Sequence, residues 1–278
     1  MFSEATSTSL EHSGHLSELT YLGFRIGTFI HAPNLPSLRD IRVLGCQNVI
    51  FPQIQDRESG LKNVGSLALI DTGTSLLPSL ATFLHQRGLP NLQRLILVGR
   101  HPSPVDSLQA VIDELSVGCP KLTCLDLTTD FPVHHDGERL FRLTTLSNLR
   151  NLCTNSLYLR SRESQDQLLD SGGLLPPKLT VLQIRGVAYA DIGRLMLENS
   201  PKGPPALRPF FPGGPSLEKL CFHVKNKNVE SERYDTLLAS IAKILRARGV
   251  EFQVHGNSIA TNKLQPLIKL DNPVTQQE

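Results

Sequence analysis

One phrase recurs along the chain and limits what it can fold into: roughly Leu-Pro-x-Leu-x-x-Leu-x-Leu. It reads LSELTYLGF at 16–24, LPSLRDIRV at 35–43, LKNVGSLAL at 61–69, LPNLQRLIL at 89–97 and CPKLTCLDL at 119–127. It returns as PPKLTVLQI at 176–184 and GPSLEKLCF at 214–222, with a degraded copy, LSNLRNLCT, at 146–154. The third apolar anchor of each copy is Leu22, Ile41, Leu67, Leu95, Leu125, Leu152, Leu182 or Leu220, and successive anchors lie 19 to 38 residues apart. Two such phrases could arise by chance in a leucine-rich chain; eight in near-register point to an internal repeat.

Residues two apart in a strand point to the same side, so the Leu-x-Leu of each copy offers two leucines to one face. Stacking the copies makes a parallel sheet with a continuous leucine ladder. Between the phrases lie segments that can return the chain as helices. TSLLPSLATFLHQRG (74–88) places Leu77, Leu80 and Leu84 at helical spacing, with Thr74 or Ser75 as N-cap, and stops at Gly88. SPVDSLQAVIDELSVG (103–118) groups Leu108, Val111, Ile112 and Leu115, and stops at Gly118. SERYDTLLASIAKILRARG (231–249) is the most regular helix, and VEFQVH (250–255) alternates like a last strand. The predicted fold class is therefore α/β, a solenoid with a curved parallel sheet on its concave face and helices on its convex face. The expected organisation is a polar segment at 1–15, about eight irregular repeats over 16–255 closed by the helix–strand cap, and a flexible tail at 256–278.

IRVLGCQNV (41–49) and GCPKLTCLDL (118–127) resemble the cysteine-containing leucine-rich repeats of F-box-type proteins. The loose, Pro-rich copies and the closing RARGVEFQVH are similar to fungal F-box and leucine-rich-repeat proteins, over roughly 16–255. In that family an N-terminal F-box docks a ubiquitin-ligase adaptor and the repeats hold the substrate. Residues 1–15 are too short and too polar to form an F-box. The resemblance thus implies a protein-binding scaffold: a ligase substrate-recognition component lacking its docking module.

Bulk properties narrow the setting. The formal net charge is +2, too small for the basic face that nucleic acid needs. No apolar stretch reaches the roughly 20 residues of a membrane span, and the first residues contain no apolar signal core. The five cysteines are odd in number and scattered, without CxxC spacing, and the chain contains no Asn-x-Ser/Thr sequon. A cytoplasmic or nuclear protein that binds another protein is expected, without nucleic acid, membrane, metal or cofactor.

The competing enzymatic reading comes from ALIDTGTSLL (68–77), which resembles the active-site segment of an aspartic protease. Asp71 would need a second carboxylate to share its proton. Asp170 in LLDSGG is the candidate, but its upstream segment RSRESQDQ is no apolar strand, and it lies 99 residues on. Asp71-Thr72-Gly73 reads instead as a turn from ladder strand to helix, and no enzyme activity is expected. His134-His135-Asp136 lacks a third ligand at suitable spacing, and Lys225 to Lys227 read as a solvated turn.

If the leucines face inward, the residues between them face the concave side. That assigns Asp40, Arg42 and Leu44 to one rung, then Ser66, Ala68 and Ile70, then Arg94, Ile96 and Val98. Cys124, Asp126 and Thr128 follow, then Val181, Gln183 and Arg185, then Lys219, Cys221 and His223. The middle of this face is apolar and its C-terminal end basic. An open apolar patch marks an interaction site, so Ile70, Ile96 and Val98 are expected to face solvent and a partner. A second candidate is the Pro-rich loop 201–215 with Phe210 and Phe211, too long to be a simple connection.

Overall fold

The anchors stack. The structure, a computed structural model, describes residues 21–25, 39–44, 60–70, 76–99, 105–129, 143–155, 175–189, 192, 197–198, 206–207, 216–224 and 231–256. Its strands are β1 (Tyr21–Arg25), β2 (Asp40–Leu44), β3 (Ser66–Ile70), β4 (Arg94–Gly99), β5 (Cys124–Thr129), β6 (Asn151–Asn155), β7 (Val181–Val187), β8 (Leu197–Glu198), β9 (Ala206–Leu207), β10 (Lys219–Val224) and β11 (Glu251–Gly256). The helices are α1 (Leu76–Arg87), α2 (Val105–Gly118) and α3 (Ser231–Ala247). A nine-stranded sheet runs β1-β2-β3-β4-β5-β6-β7-β10-β11, and every pairing in it is parallel. Each strand therefore pairs only with the sheet strands before and after it, an arrangement compatible with a solenoid. The short β8 and β9 form a separate antiparallel pair inside the longest step between anchors.

The register is the one the phrase predicts. Leu22, Ile41, Leu67, Leu95, Leu125, Leu152, Leu182 and Leu220 occupy one continuous row, which Phe252 extends. From Ile41 to Leu220 the row is buried. The second leucine of the phrase (Leu69, Leu97, Leu127) makes the next row, continued by Ile184 and Phe222. Onto this face pack Leu80 and Leu84 of α1, Val111, Ile112 and Leu115 of α2, and Ile241 and Leu245 of α3. Each fully buried leucine is worth about 1.5–3 kcal/mol, so the ladder is the principal source of cohesion.

The first half of the phrase is a turn. Leu92, Leu122, Leu149 and Leu179 each donate an N–H to the carbonyl three residues earlier, on Leu89, Cys119, Leu146 and Pro176. Pro90, Pro120 and Pro177 take the second turn position, where a fixed φ near −65° is favourable. The next position carries a polar ladder that the pattern of leucines does not reveal. Asn91 and Asn148 donate to the Lys62 and Pro120 carbonyls at 2.9 Å, and Ser216 to the Pro177 carbonyl at 3.1 Å. Lys121 and Lys178 alternate with them, donating to the Asn91 and Asn148 side chains at 2.7 and 2.9 Å. Strands β3 to β7 and β10 then start by giving two N–H groups to one carbonyl of the preceding repeat, for example Gln93 and Arg94 to Gly65, Thr123 and Cys124 to Gln93, and Arg150 and Asn151 to Thr123.

Gly88 and Gly118 end α1 and α2 as predicted, and for a close-packing reason. Gly88 has φ 64° and donates to the Leu84 carbonyl; a Cβ there would lie 2.8 Å from the Gly118 oxygen. Gly186, at φ 69°, is an extra residue in β7, since Arg185 pairs with His223 but Val187 with Val224.

Leu95→Ala and Leu125→Ala are each expected to destabilise the chain by about 2–5 kcal/mol. Gly88→Ala should cost about 1–2 kcal/mol from the left-handed backbone alone, with the Gly118 contact adding to it. Urea midpoints at constant slope measure all three, and a wild-type midpoint for either leucine variant would refute the ladder register.

Candidate functional site

The residues between the ladder leucines share the opposite face of the sheet, in three rows. The first holds Asp40, Ser66, Arg94, Cys124, Asn151, Val181, Lys219 and Glu251. The second holds Ala68, Ile96, Asp126, Cys153, Gln183, Cys221 and Gln253. The third carries Ile70, Val98 and Thr128 at one end and Asn155, Arg185, His223 and His255 at the other. By strand register, the residues assigned from sequence to rungs on β3, β4, β5, β7 and β10 lie in these rows. Omitted from that reading were the β6 residues Asn151, Cys153 and Asn155 and the β11 residues Glu251, Gln253 and His255. The same alternation applied to LSNLRNLCT and VEFQVH would have found them.

Exposure differs from expectation at the apolar centre. Ala68 and Ile96 are 0% exposed and Val98 1%; with Ile70 packed on them they form a second apolar cluster, separate from the ladder core. The expected open patch is therefore covered. The sequence carried the signal: RLILVG in β4 is nearly continuous in apolar residues, the pattern of a parallel strand buried on both faces.

Next to this cluster the covered face turns polar. Asp126 is 0% exposed and accepts a hydrogen bond from the Thr128 hydroxyl on Oδ1. Its Oδ2 has no hydrogen-bond partner, and the Arg185 guanidinium stands 3.9 Å away, an ion pair beyond hydrogen-bond length. Arg185 starts two strands away, on β7, and the small Cys153 is the residue on the intervening strand beside Asp126. Burial raises the Asp126 carboxyl above its ordinary value, and Arg185 and Thr128 only partly offset it. Cys124, Cys153 and Cys221 line the same face as free, buried thiols. Burial pushes Cys124 and Cys221 up to about 11, and Cys153 higher still. Cys221 Sγ lies 3.3 Å from His223 Nε2, but burial drives His223 down to about 4, aided by His255 and Arg185. A protonated thiol beside a neutral imidazole is no thiolate–imidazolium pair, so this contact is not an activated nucleophile.

An accessible groove of the face lies at the strand starts. A groove of about 640 Å³ crosses β2 to β7, lined by Asp40, Ser66, Arg94, Cys124, Asn151 and Val181 of the first row and by Gln183. Arg39, Gly65, Gln93 and Thr123, each just before a strand, form its other side. Five strand spacings make it about 24 Å long. Of the residues selected from sequence, Ser66, Arg94 and Gln183 line this groove, Lys219 lies on the same first row, and Ala68, Ile96, Val98 and Asp126 are buried away from it. Phe210 and Phe211, Asp71-Thr72-Gly73, Asp170, His134-His135-Asp136, Cys46, Thr74, Ser75, Lys225 to Lys227 and the tail beyond 256 lie outside the described residues.

Among the described residues, no group of three or more His, Cys, Asp or Glu is placed to hold a metal ion, and no helix is long and apolar enough to cross a membrane. No family model, no curated protein and no solved structure matches the chain.

Ile96→Glu should lose about 3–5 kcal/mol by burying an uncompensated charge, against about 0.5–1.5 kcal/mol for Ile96→Val. A thermal midpoint for Ile96→Glu equal to wild type would place Ile96 at the surface after all. Because folding raises the Asp126 value, the stability tied to its protonated form is full below the ordinary carboxylate range and is lost as pH rises through the raised value. Wild type measured against Asp126→Asn should accordingly lose relative stability from acid toward neutral pH. A difference that grows in the opposite direction would mean that the Arg185 attraction outweighs desolvation.

Proposed function

We propose that this chain is a leucine-rich-repeat solenoid that acts, without catalysis, as a scaffold binding a protein partner along the starts of its sheet strands. The observation that carries the reading is the groove across six strands, floored by the registered row Asp40, Ser66, Arg94, Cys124, Asn151 and Val181, mostly polar in character. Its length of about 24 Å takes roughly seven residues of extended polypeptide at about 3.4 Å each. Ser66, Gln93, Thr123, Asn151 and Gln183 can donate to and accept from a peptide backbone, while Arg39 and Asp40 put a cation and a carboxylate at the β2 end and Arg94 a second cation two strands further in. An open sheet whose strands contact only their neighbours offers such a surface without rearrangement. In finer form, the bound protein is the substrate of a ubiquitin ligase, and this chain is the part that recognises it.

Affinity purification from the cell of origin tests the reading, with the wild-type chain and an Arg94→Gln/Asn151→Ala variant compared side by side. The variant should bind the captured protein at least about tenfold more weakly, ~1.4 kcal/mol, with the unfolding midpoint within about 2 °C of wild type. Equal binding by a folded variant would remove the groove from the function. The ligase form further requires that ubiquitin-ligase subunits co-purify and that the partner's lifetime lengthens when this chain is deleted.

A further inference from the structure

The ladder core is closed along its length but not at its C-terminal end. Every row member from Ile41 to Leu220 is buried, whereas Phe252 and Val254 of β11 are half-buried. So are Leu237, Leu238 and Ile244 of α3, all packed against the same core. β11 is the last strand of the sheet, and its one described pairing is with β10. Each repeat buries its apolar residues against the next, so the last strand lacks a neighbour on its outer side. The backbone of this edge is open as well. Glu251 donates its N–H to the Glu218 carbonyl of the preceding repeat. Backbone groups alternate in direction along a strand, so Glu251, Gln253 and His255 turn theirs to β10, and Phe252 and Val254 turn theirs outward. On that outer side neither Phe252 nor Val254 bonds to any of the described residues. The segment EFQVHG contains no proline, lysine or bulge of the kind that blocks an edge from pairing.

The strand is also complementary to itself. Laid antiparallel against a second copy with Gln253 opposite Gln253, it brings Glu251 opposite His255 and Phe252 opposite Val254, each pair twice. A two-fold axis perpendicular to the sheet preserves its faces, so Val254 of the second copy extends the row that ends at Phe252, and the converse. Phe252 and Val254 then form the hydrogen-bonded pairs, which take up all their outward N–H and C=O groups. Glu251 and His255 fall in the non-hydrogen-bonded pairs, where opposite side chains stand closest. The Glu251 side chain remains 56% exposed beside Lys219 at 3.6 Å and the Gln253 amide, and His255 is exposed beside Gln253 and His223. An imidazole donates to a carboxylate whether neutral or charged.

We propose that β11 is a dimerisation edge, at which two copies of this chain join antiparallel through their last strands into one continuous sheet. The join satisfies the open backbone edge, completes both ladder rows at the half-buried end of the core, and sets a carboxylate against an imidazole on the other face. The strand-start groove extends only from β2 to β7, so it stays open in both copies, and the proposal does not depend on what that groove binds.

Sedimentation velocity of the full chain over a concentration series tests it. Wild type should pass from monomer to dimer, and His255→Glu, which sets carboxylates face to face at both ends of the pairing, should weaken the dimer at least about tenfold, ~1.4 kcal/mol. Glu251→Lys, which sets an ammonium against His255, should weaken it too. An equal mixture of the two variants should dimerise again, because a base then faces a carboxylate at both ends. Damage to either variant alone cannot produce that recovery. A wild-type chain that stays monomeric, a dimer that neither substitution weakens, or a mixture no better than its components would each overturn the proposal. Hydrogen exchange of the wild-type chain decides the matter should a variant not fold: the Phe252 and Val254 amides should gain protection as the dimer forms. Protection already present in the monomer would put another segment on this edge and defeat the proposal.

Discussion

Everything in this molecule hangs on the row of side chains that begins at Ile41 and ends at Phe252, one from each strand of the main sheet from β2 onward. A single strand of five or six residues cannot bury its own leucines; it buries them against the same leucines of its neighbours. That dependence sets the register, because a slip of one residue would turn every leucine to the other face. Backbone hydrogen bonds enforce the same register at the starts of β3 to β7 and β10, where one carbonyl of a repeat accepts two N–H groups of the next. The Asn–Lys ladder below it adds a polar lock at the same spacing. Hydrophobic and polar contacts thus choose one alignment together, which is what a well-determined fold requires.

The opposite face is less uniform and more consequential. Its apolar half, Ala68, Ile96 and Val98, is a second small core, and its polar half contains a buried carboxylate whose ion pair is too long to be a hydrogen bond. A charge in that setting costs more to desolvate than a distant guanidinium returns. Such a group adds little to stability. Most groove residues, Ser66, Arg94, Asn151 and Gln183 among them, are half-buried and polar.

Step lengths of 19 to 38 residues between anchors do not disturb the sheet, because only the phrase itself lies in the stacked rows. Within the longest step the β8–β9 pair stands apart from the main sheet. A long loop closed on a fixed scaffold costs little more than a short one. The repeat can therefore drift in length while its register is kept.

The leucine spacing by itself determined the strand order, the register, the faces and the helix ends at Gly88 and Gly118, since those follow from local periodicity and turn chemistry. Prolines at the second turn position, as in Leu89-Pro90-Asn91-Leu92, were readable for the same reason. Alternation also placed Ser66, Arg94, Gln183 and Lys219 in their rows. What the tertiary structure alone decided was which of those rows meets water. Ile96 and Arg94 alternate identically in β4, yet one is fully buried and the other lines a groove, because exposure depends on what distant segments pack over a face. The same holds for Asp126 and Arg185, which stand 59 residues apart in the chain and meet across an intervening strand. Periodicity is a property of neighbours in sequence; burial and charge pairing are properties of neighbours in space.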